Sequence, residues 1–141
     1  EYNLLEAGLA RPKVKAADFR GKAANIAQRE LAHQAAMLCT MTVTDNVDKD
    51  GVARFMTGNS PIIDPATNEV LIDEHGRRSY TTSMAYGPSV GKNIALGYLP
   101  HAYCEEGREL EIEYFNQKFP IKVEAVGMKS LYDPTNARMK S

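Results

Sequence analysis

Apolar residues change their spacing once along this chain, dividing it into a helical lead and a long strand-forming body. Ala23, Ile26, Ala27, Leu31, Ala32 and Ala35 recur at helical spacing, with Lys22, Asn25, Gln28 and Arg29 between them. That spacing gathers the apolar side chains on one face of a helix. Asp18 stands before the run, where its carboxylate can accept from the free amides of a first turn. The pattern therefore predicts a helix over about residues 18–34 with Asp18 as its N-cap. The first dozen residues, ending at Arg11-Pro12, have no clean period and are punctuated by Gly8 and Pro12.

Beyond residue 36 the pattern is that of strands. Residues 37–44 are rich in β-branched side chains and alternate at their end. A turn is expected at Asn46-Val47-Asp48-Lys49-Asp50-Gly51, then a short run over 52–56. The polar stretch 58–68 carries Pro61 and Pro65, which argue against a central strand there. Further strands are expected over 69–72, 78–86 and 92–99, with a turn at Glu74-His75-Gly76 and an end at Pro100. The clearest pair is 109–115 with 119–126. Leu110, Ile112 and Tyr114 face one way and Glu109, Glu111 and Glu113 the other, while Phe119, Ile121, Val123 and Ala125 take the core face. Asn116-Gln117-Lys118 reads as the loop between them. The fold class that follows is mainly all-β: a small antiparallel six- to seven-stranded β-barrel with a leading α-helix.

Composition narrows this further. The 141 residues fit one domain, and 43% hydrophobic with 25% charged residues is the balance of a folded globular chain. A net charge of −1 with both signs interspersed gives no attraction to nucleic acid or to a membrane surface. Apolar runs are too short to span a bilayer, and no signal pattern opens the chain. Cys39 and Cys104 have no further cysteine at metal-ligand spacing, and read as reduced thiols of a reducing compartment. A cytoplasmic protein is expected, or one of the mitochondrial matrix in a eukaryote. The opening Glu1-Tyr2-Asn3-Leu4-Leu5 reads as cut from something longer.

Several constellations bear on chemistry. The 46–51 turn resembles the front of a calcium loop, but Thr57 stands where an acidic ligand is needed, and strands flank it. Gly87-Pro88-Ser89-Val90-Gly91-Lys92-Asn93 is one residue short of a phosphate-binding loop, with Asn93 at the metal-binding hydroxyl position, so a turn explains it better. His33, His75 and His101 have no zinc spacing, and His33 is expected to end the helix. Glu105 and Glu106, adjacent on a loop, read as solvated. No catalytic or metal-ligating residue emerges.

Three stretches are similar to a known family. Glu6-Ala7-Gly8-Leu9 followed by Lys15-Ala16-Ala17-Asp18-Phe19-Arg20-Gly21-Lys22 resembles the junction of the glycine cleavage T-protein (aminomethyltransferase) family. Thr81-Thr82-Ser83 through Gly87-Pro88-Ser89-Val90-Gly91-Lys92-Asn93-Ile94-Ala95-Leu96-Gly97-Tyr98 resembles its pair of strands. Leu131-Tyr132-Asp133-Pro134-Thr135-Asn136-Ala137-Arg138 looks like the tail of its flavin-linked members. The longer 62–78 segment and the phrase ending Gly97-Tyr98-Leu99-Pro100 point to the dimethylglycine or sarcosine dehydrogenase-like branch.

The resemblance implies a C-terminal barrel domain over 18–141, with 1–17 the tail of a preceding folate-binding domain or a linker. It implies a parent enzyme that moves an aminomethyl or methyl unit onto tetrahydrofolate, either an aminomethyltransferase or demethylase, or a flavin-linked oxidoreductase with FAD in an upstream domain. The carboxylate assisting proton transfer and the main folate contacts are implied to lie upstream of Glu1, so this chain buttresses the folate cavity and is not catalytic alone. Its implied partners are the upstream domains and a small amine or methyl donor. Arg138 is the one candidate cofactor-binding residue, reaching a folate carboxylate. Two alternatives stay open: a non-catalytic folate-binding paralogue of iron–sulfur maturation, whose junction cysteine is missing from residues 18–22, and a stand-alone interaction barrel.

Overall fold

The structure, a computed structural model, describes residues 1–139. After a short helix α1 (Lys22–Arg29) come strands β1 (Ala36–Val43), β2 (Ile62–Asp64), β3 (Glu69–Val70), β4 (Thr81–Gly87), β5 (Lys92–Pro100), β6 (Glu109–Tyr114) and β7 (Gln117–Val126). All pair antiparallel in one sheet of order β3-β2-β6-β7-β1-β5-β4. The sheet curls so that its ends approach. The Ile62 amide donates to the Ser79 carbonyl at 3.1 Å, and the Thr81 amide to that of Ser60 at 2.8 Å. These bonds join the lead-in of β2 to that of β4, giving the small barrel expected from the strand pattern. Gly97 sits at this crossing, where a Cβ would lie 2.9 Å from the Tyr80 carbonyl oxygen and 3.0 Å from the Ile62 side chain.

The interior is filled by Cys39, Met41, Ile62, Leu99, Leu110, Ile112, Phe119, Ile121 and Val123. In the β6–β7 hairpin Leu110 faces Ile121 and Ile112 faces Phe119, all buried, as alternation predicts. The connecting turn is tighter than expected. Phe115 and Asn116 both have positive φ, 50° and 57°, so a two-residue turn of type I′ joins Tyr114 to Gln117.

Four expectations are corrected. The helix is Lys22–Arg29 rather than 18–34, it buries no residue, and its N-cap position is Gly21 rather than Asp18. Its apolar residues Ala23, Ile26 and Ala27 are exposed, so the periodicity had no core to face. The 58–68 stretch does contain a strand inside the sheet. Pro61 and Pro65 bracket β2 instead of interrupting it, and its three residues are buried between β3 and β6. The stretch 52–56 forms no strand, only a bridge of Ala53 to Val47. Finally, His33 lies beyond the helix end and stacks on His101, ring centroids 4.3 Å apart, so these two histidines are neighbours. Among the described residues, no helix is long and apolar enough to cross a membrane.

Candidate functional site

The first ten residues fold back on the barrel. Asn3 starts the turn: its side-chain oxygen accepts from the amides of Leu5 and Glu6 at 2.8 and 2.9 Å, and the Ala7 amide donates to the Asn3 carbonyl at 3.0 Å. Gly8 ends the turn at φ 69°, and a Cβ there would fall 2.8 Å from the Met128 amide nitrogen. Only a glycine allows this approach between the chain's opening segment and the exit of β7. The Leu38 amide donates to the Glu6 carbonyl and the Gly127 amide to the Leu38 carbonyl, each at 2.7 Å. Glu6 thus extends the ladder beside β1 where β7 has ended.

The Glu6 side chain is only 3% exposed, and a buried carboxylate needs partners. It accepts from the Asn3 amide at 2.8 Å and from the Arg77 guanidinium, which bonds both of its oxygens. Arg77 also donates through Nε to Asp73 at 2.7 Å and through a terminal nitrogen to the Glu1 carbonyl at 2.8 Å. Its guanidinium lies 4.2 Å over the Tyr2 ring, and Tyr2 stacks on Tyr98 of β5 with centroids 3.7 Å apart. The β3–β4 loop aims Arg77 at this point because Asp73 accepts from the amides of His75 and Arg77, both at 2.9 Å, and so fixes the turn.

Electrostatics follow from this packing. Burial alone would raise the Glu6 carboxyl, but the Arg77 hydrogen bonds and charge, with the Asn3 and Ala36 amides, hold it below the usual carboxylate range. Asp73 is treated alike: burial raises it, and the backbone amide and guanidinium of Arg77 with the His75 amide bring it down. Arg77 itself is pushed up, chiefly by its bonds to Glu6.

The tail beyond β7 has its own local logic. Asp133, at φ 50°, accepts from the amides of Ala137 at 2.8 Å and Arg138 at 3.1 Å, capping a single 3₁₀ turn, Ala137–Met139. Arg138 is exposed on this turn, with its guanidinium bonded to the Tyr132 hydroxyl and 5.5 Å from that ring's centroid. The calcium-like turn is closed from within. Asp48 accepts from the amides of Asp50 and Val52 and from Arg54 Nε. Gly87 through Asn93 is the β4–β5 hairpin, with the Gly91 amide on the Gly87 carbonyl at 2.8 Å.

Sequence reasoning used Glu6 only as part of a motif and passed over Arg77, because nothing local announces a partner 71 positions away. One concavity of about 260 Å³ lies between Arg54, Tyr114, Phe115, Gln117 and Phe119. Larger, shallower depressions of about 470 Å³ beside Leu4, Lys13, Phe19 and Arg29 and about 580 Å³ beside Asp64, Glu105 and Arg108 lie elsewhere on the surface.

The comparisons agree with this architecture. The chain is 28% identical to the dimethylglycine dehydrogenases, mitochondrial, of Rattus norvegicus and Mus musculus, across 99% of its own length. It spans 15% of the rat protein and 14% of the mouse protein, so these relatives are far longer chains. A crystal structure of glycine cleavage system aminomethyltransferase T from Bartonella henselae shares the fold, with a TM-score of 0.55 and 20% identity. It covers 74% of this chain, which in turn covers 25% of that protein. Residues 50–133, from the Asp48 turn to the residue that caps the final 3₁₀ turn, match the glycine cleavage T-protein C-terminal barrel domain, and the chain belongs to that family.

Proposed function

We propose that this chain is the supporting C-terminal domain of a tetrahydrofolate-dependent one-carbon transfer enzyme and that it carries no catalytic residue of its own. The observation that carries this reading is family membership over residues 50–133, which hold strands β2 to β7. On this reading residues 1–17 are the end of a preceding folate-binding domain or its linker, and residues 18–141 are the barrel domain. The anchored opening segment supports such an arrangement, because the Glu6–Arg77–Asp73 cluster ties residues 1–6 to the barrel. The exposed apolar residues of α1 support an upstream domain as partner. Likeness to dimethylglycine dehydrogenases favours a flavin-linked parent acting on a small methylated amine, in mitochondria or their bacterial equivalent, the cytoplasm. No residue of this chain is assigned to the flavin.

Tetrahydrofolate, when bound, supplies nitrogens that capture a one-carbon unit. From this chain Arg138 would hold a folate carboxylate, since its planar fork suits bidentate pairing and the guanidinium is exposed on a capped turn. The barrel would hold one wall of the cavity in place and so orient its contents.

The test has two arms. The chain alone, given tetrahydrofolate with dimethylglycine or sarcosine, is expected to show no turnover. Measurable turnover would overturn the supporting role. In the parent protein, Arg138→Ala is expected to raise the folate dissociation constant roughly tenfold, the usual cost of one charge-assisted contact. Unchanged affinity in a folded variant would remove Arg138 from the site.

A further inference from the structure

The barrel holds a feature that one-carbon chemistry does not use. Cys39 of β1 is fully buried in the core, and Cys104 is half-buried where the 3₁₀ turn His101–Tyr103 ends. Sixty-five positions apart in sequence, the two sulfurs lie 3.9 Å from each other, and both are free thiols. Closing to a disulfide requires the sulfurs to approach by about 2 Å. Cys104 can supply that movement because it stands in a short turn at the surface rather than inside a strand, with its thiol on the Leu99 and Pro100 carbonyls at 3.3 Å. Cys39, in mid-strand, is the fixed partner.

The two thiols differ in character. The Cys39 hydrogen bond, and the Met37 amide, hold Cys104 below the usual thiol value against the effect of burial. Cys39 is pushed the other way, by Cys104 and by burial. Cys104 is therefore the thiol that ionises and meets solvent first, and nucleophilic attack belongs to the thiolate.

We propose that Cys104 and Cys39 form an oxidisable dithiol, in which Cys104 attacks a hydroperoxide and Cys39 then closes a disulfide between β1 and the segment after β5. In the first step the Cys104 sulfur bonds the terminal peroxide oxygen as the O–O bond breaks. The sulfur is oxidised to a sulfenic acid, and the peroxide is reduced to an alcohol, or to water when it is hydrogen peroxide. The oxygen that leaves takes up the thiol's proton. In the second step the Cys39 sulfur attacks the Cys104 sulfur, an S–S bond forms, the S–OH bond breaks, and hydroxide leaves as water with the Cys39 proton.

The experiment treats the folded chain with hydrogen peroxide, blocks remaining thiols with an alkylating reagent, and maps the peptides by mass spectrometry. Free thiols are expected to fall from two to none, with one intramolecular cross-link between the Cys39 and Cys104 peptides, and to return with dithiothreitol. Cys104→Ala is expected to slow oxidation of Cys39 by about tenfold or more, since the buried thiol must then react unaided. Cys39→Ala should leave a sulfenic acid on Cys104 that a dimedone probe captures. If that core variant does not fold, the thiol count and the cross-link in the unaltered chain decide alone. The proposal is overturned if Cys104 goes to sulfinic acid while Cys39 stays alkylatable, if cross-links form between two chains, or if both thiols survive.

Discussion

The β6–β7 wall and the opening segment are both fixed to the same barrel, yet by opposite physics. The hairpin is held by neutral burial: Leu110, Ile112, Phe119, Ile121 and Val123 are each no more than 2% exposed and face one another across the sheet or into the core. The opening segment is held by charge, with one guanidinium between two buried carboxylates and a tyrosine. Apolar packing is indifferent to pH and sensitive to lost volume. A buried ion cluster is the reverse, because removing one partner leaves the others desolvated and uncompensated. The wall therefore answers to size and the junction to charge.

The largest effect is expected from the wall. Phe119→Ala removes the ring packed opposite Ile112 and should cost about 3–5 kcal/mol in denaturant unfolding. A cost under about 1 kcal/mol would mean the site collapses around the cavity and is not a packed core. Arg77→Met keeps the stem and volume of the side chain and deletes its charge. It should cost about 3 kcal/mol, because Glu6 and Asp73 are left buried with backbone amide partners but no cation. Adding Glu6→Gln to that variant should recover about 1 kcal/mol by removing an unpaired charge. If the double variant is the weaker of the two, Arg77 acts through packing on Tyr2 and not through charge. The smallest effect concerns the hairpin turn. Asn116→Gly at φ 57° should stabilise by a few tenths to about 1 kcal/mol, since a type I′ turn favours glycine there. Destabilisation would show that the Asn116 side chain supports the turn.

The wall was legible because its information is local. Glu109 to Tyr114 and Phe119 to Ala125 alternate cleanly, and alternation alone assigns the buried face. The helix was overextended for the same reason. Ala23, Ile26, Ala27 and Leu31 keep helical spacing, but spacing says nothing about whether a core lies opposite, and here those residues are exposed. Strand β2 was missed because the prolines that argue against a strand stand just outside it. The Glu6–Arg77 contact, the His33–His101 stack and the Cys39–Cys104 approach each join positions more than 60 residues apart, so no window along the chain contains them. The tail gives the same lesson: Asp133 entered only as part of a motif, and its bonds to the amides of Ala137 and Arg138 came from the structure.

The contrast between wall and junction is tested most directly by amide hydrogen exchange followed as pH falls. The Leu38 amide, bonded to the Glu6 carbonyl, reports on the junction, and the Val123 amide, bonded to the Arg108 carbonyl at 2.9 Å, reports on the wall. Glu6 and Asp73 have carboxyls depressed in the folded chain, so their stabilisation is complete above the unfolded values and fades as pH drops through the lower folded ones. After correction for intrinsic exchange rates, Leu38 should keep its protection at about pH 5 and lose it first below about pH 4, while Val123 keeps its own. Equal loss at both amides, or Leu38 protected throughout, would contradict the account that the opening segment stays on the barrel only while the Glu6–Arg77–Asp73 charges support its backbone bonds and the Tyr2–Tyr98 stack.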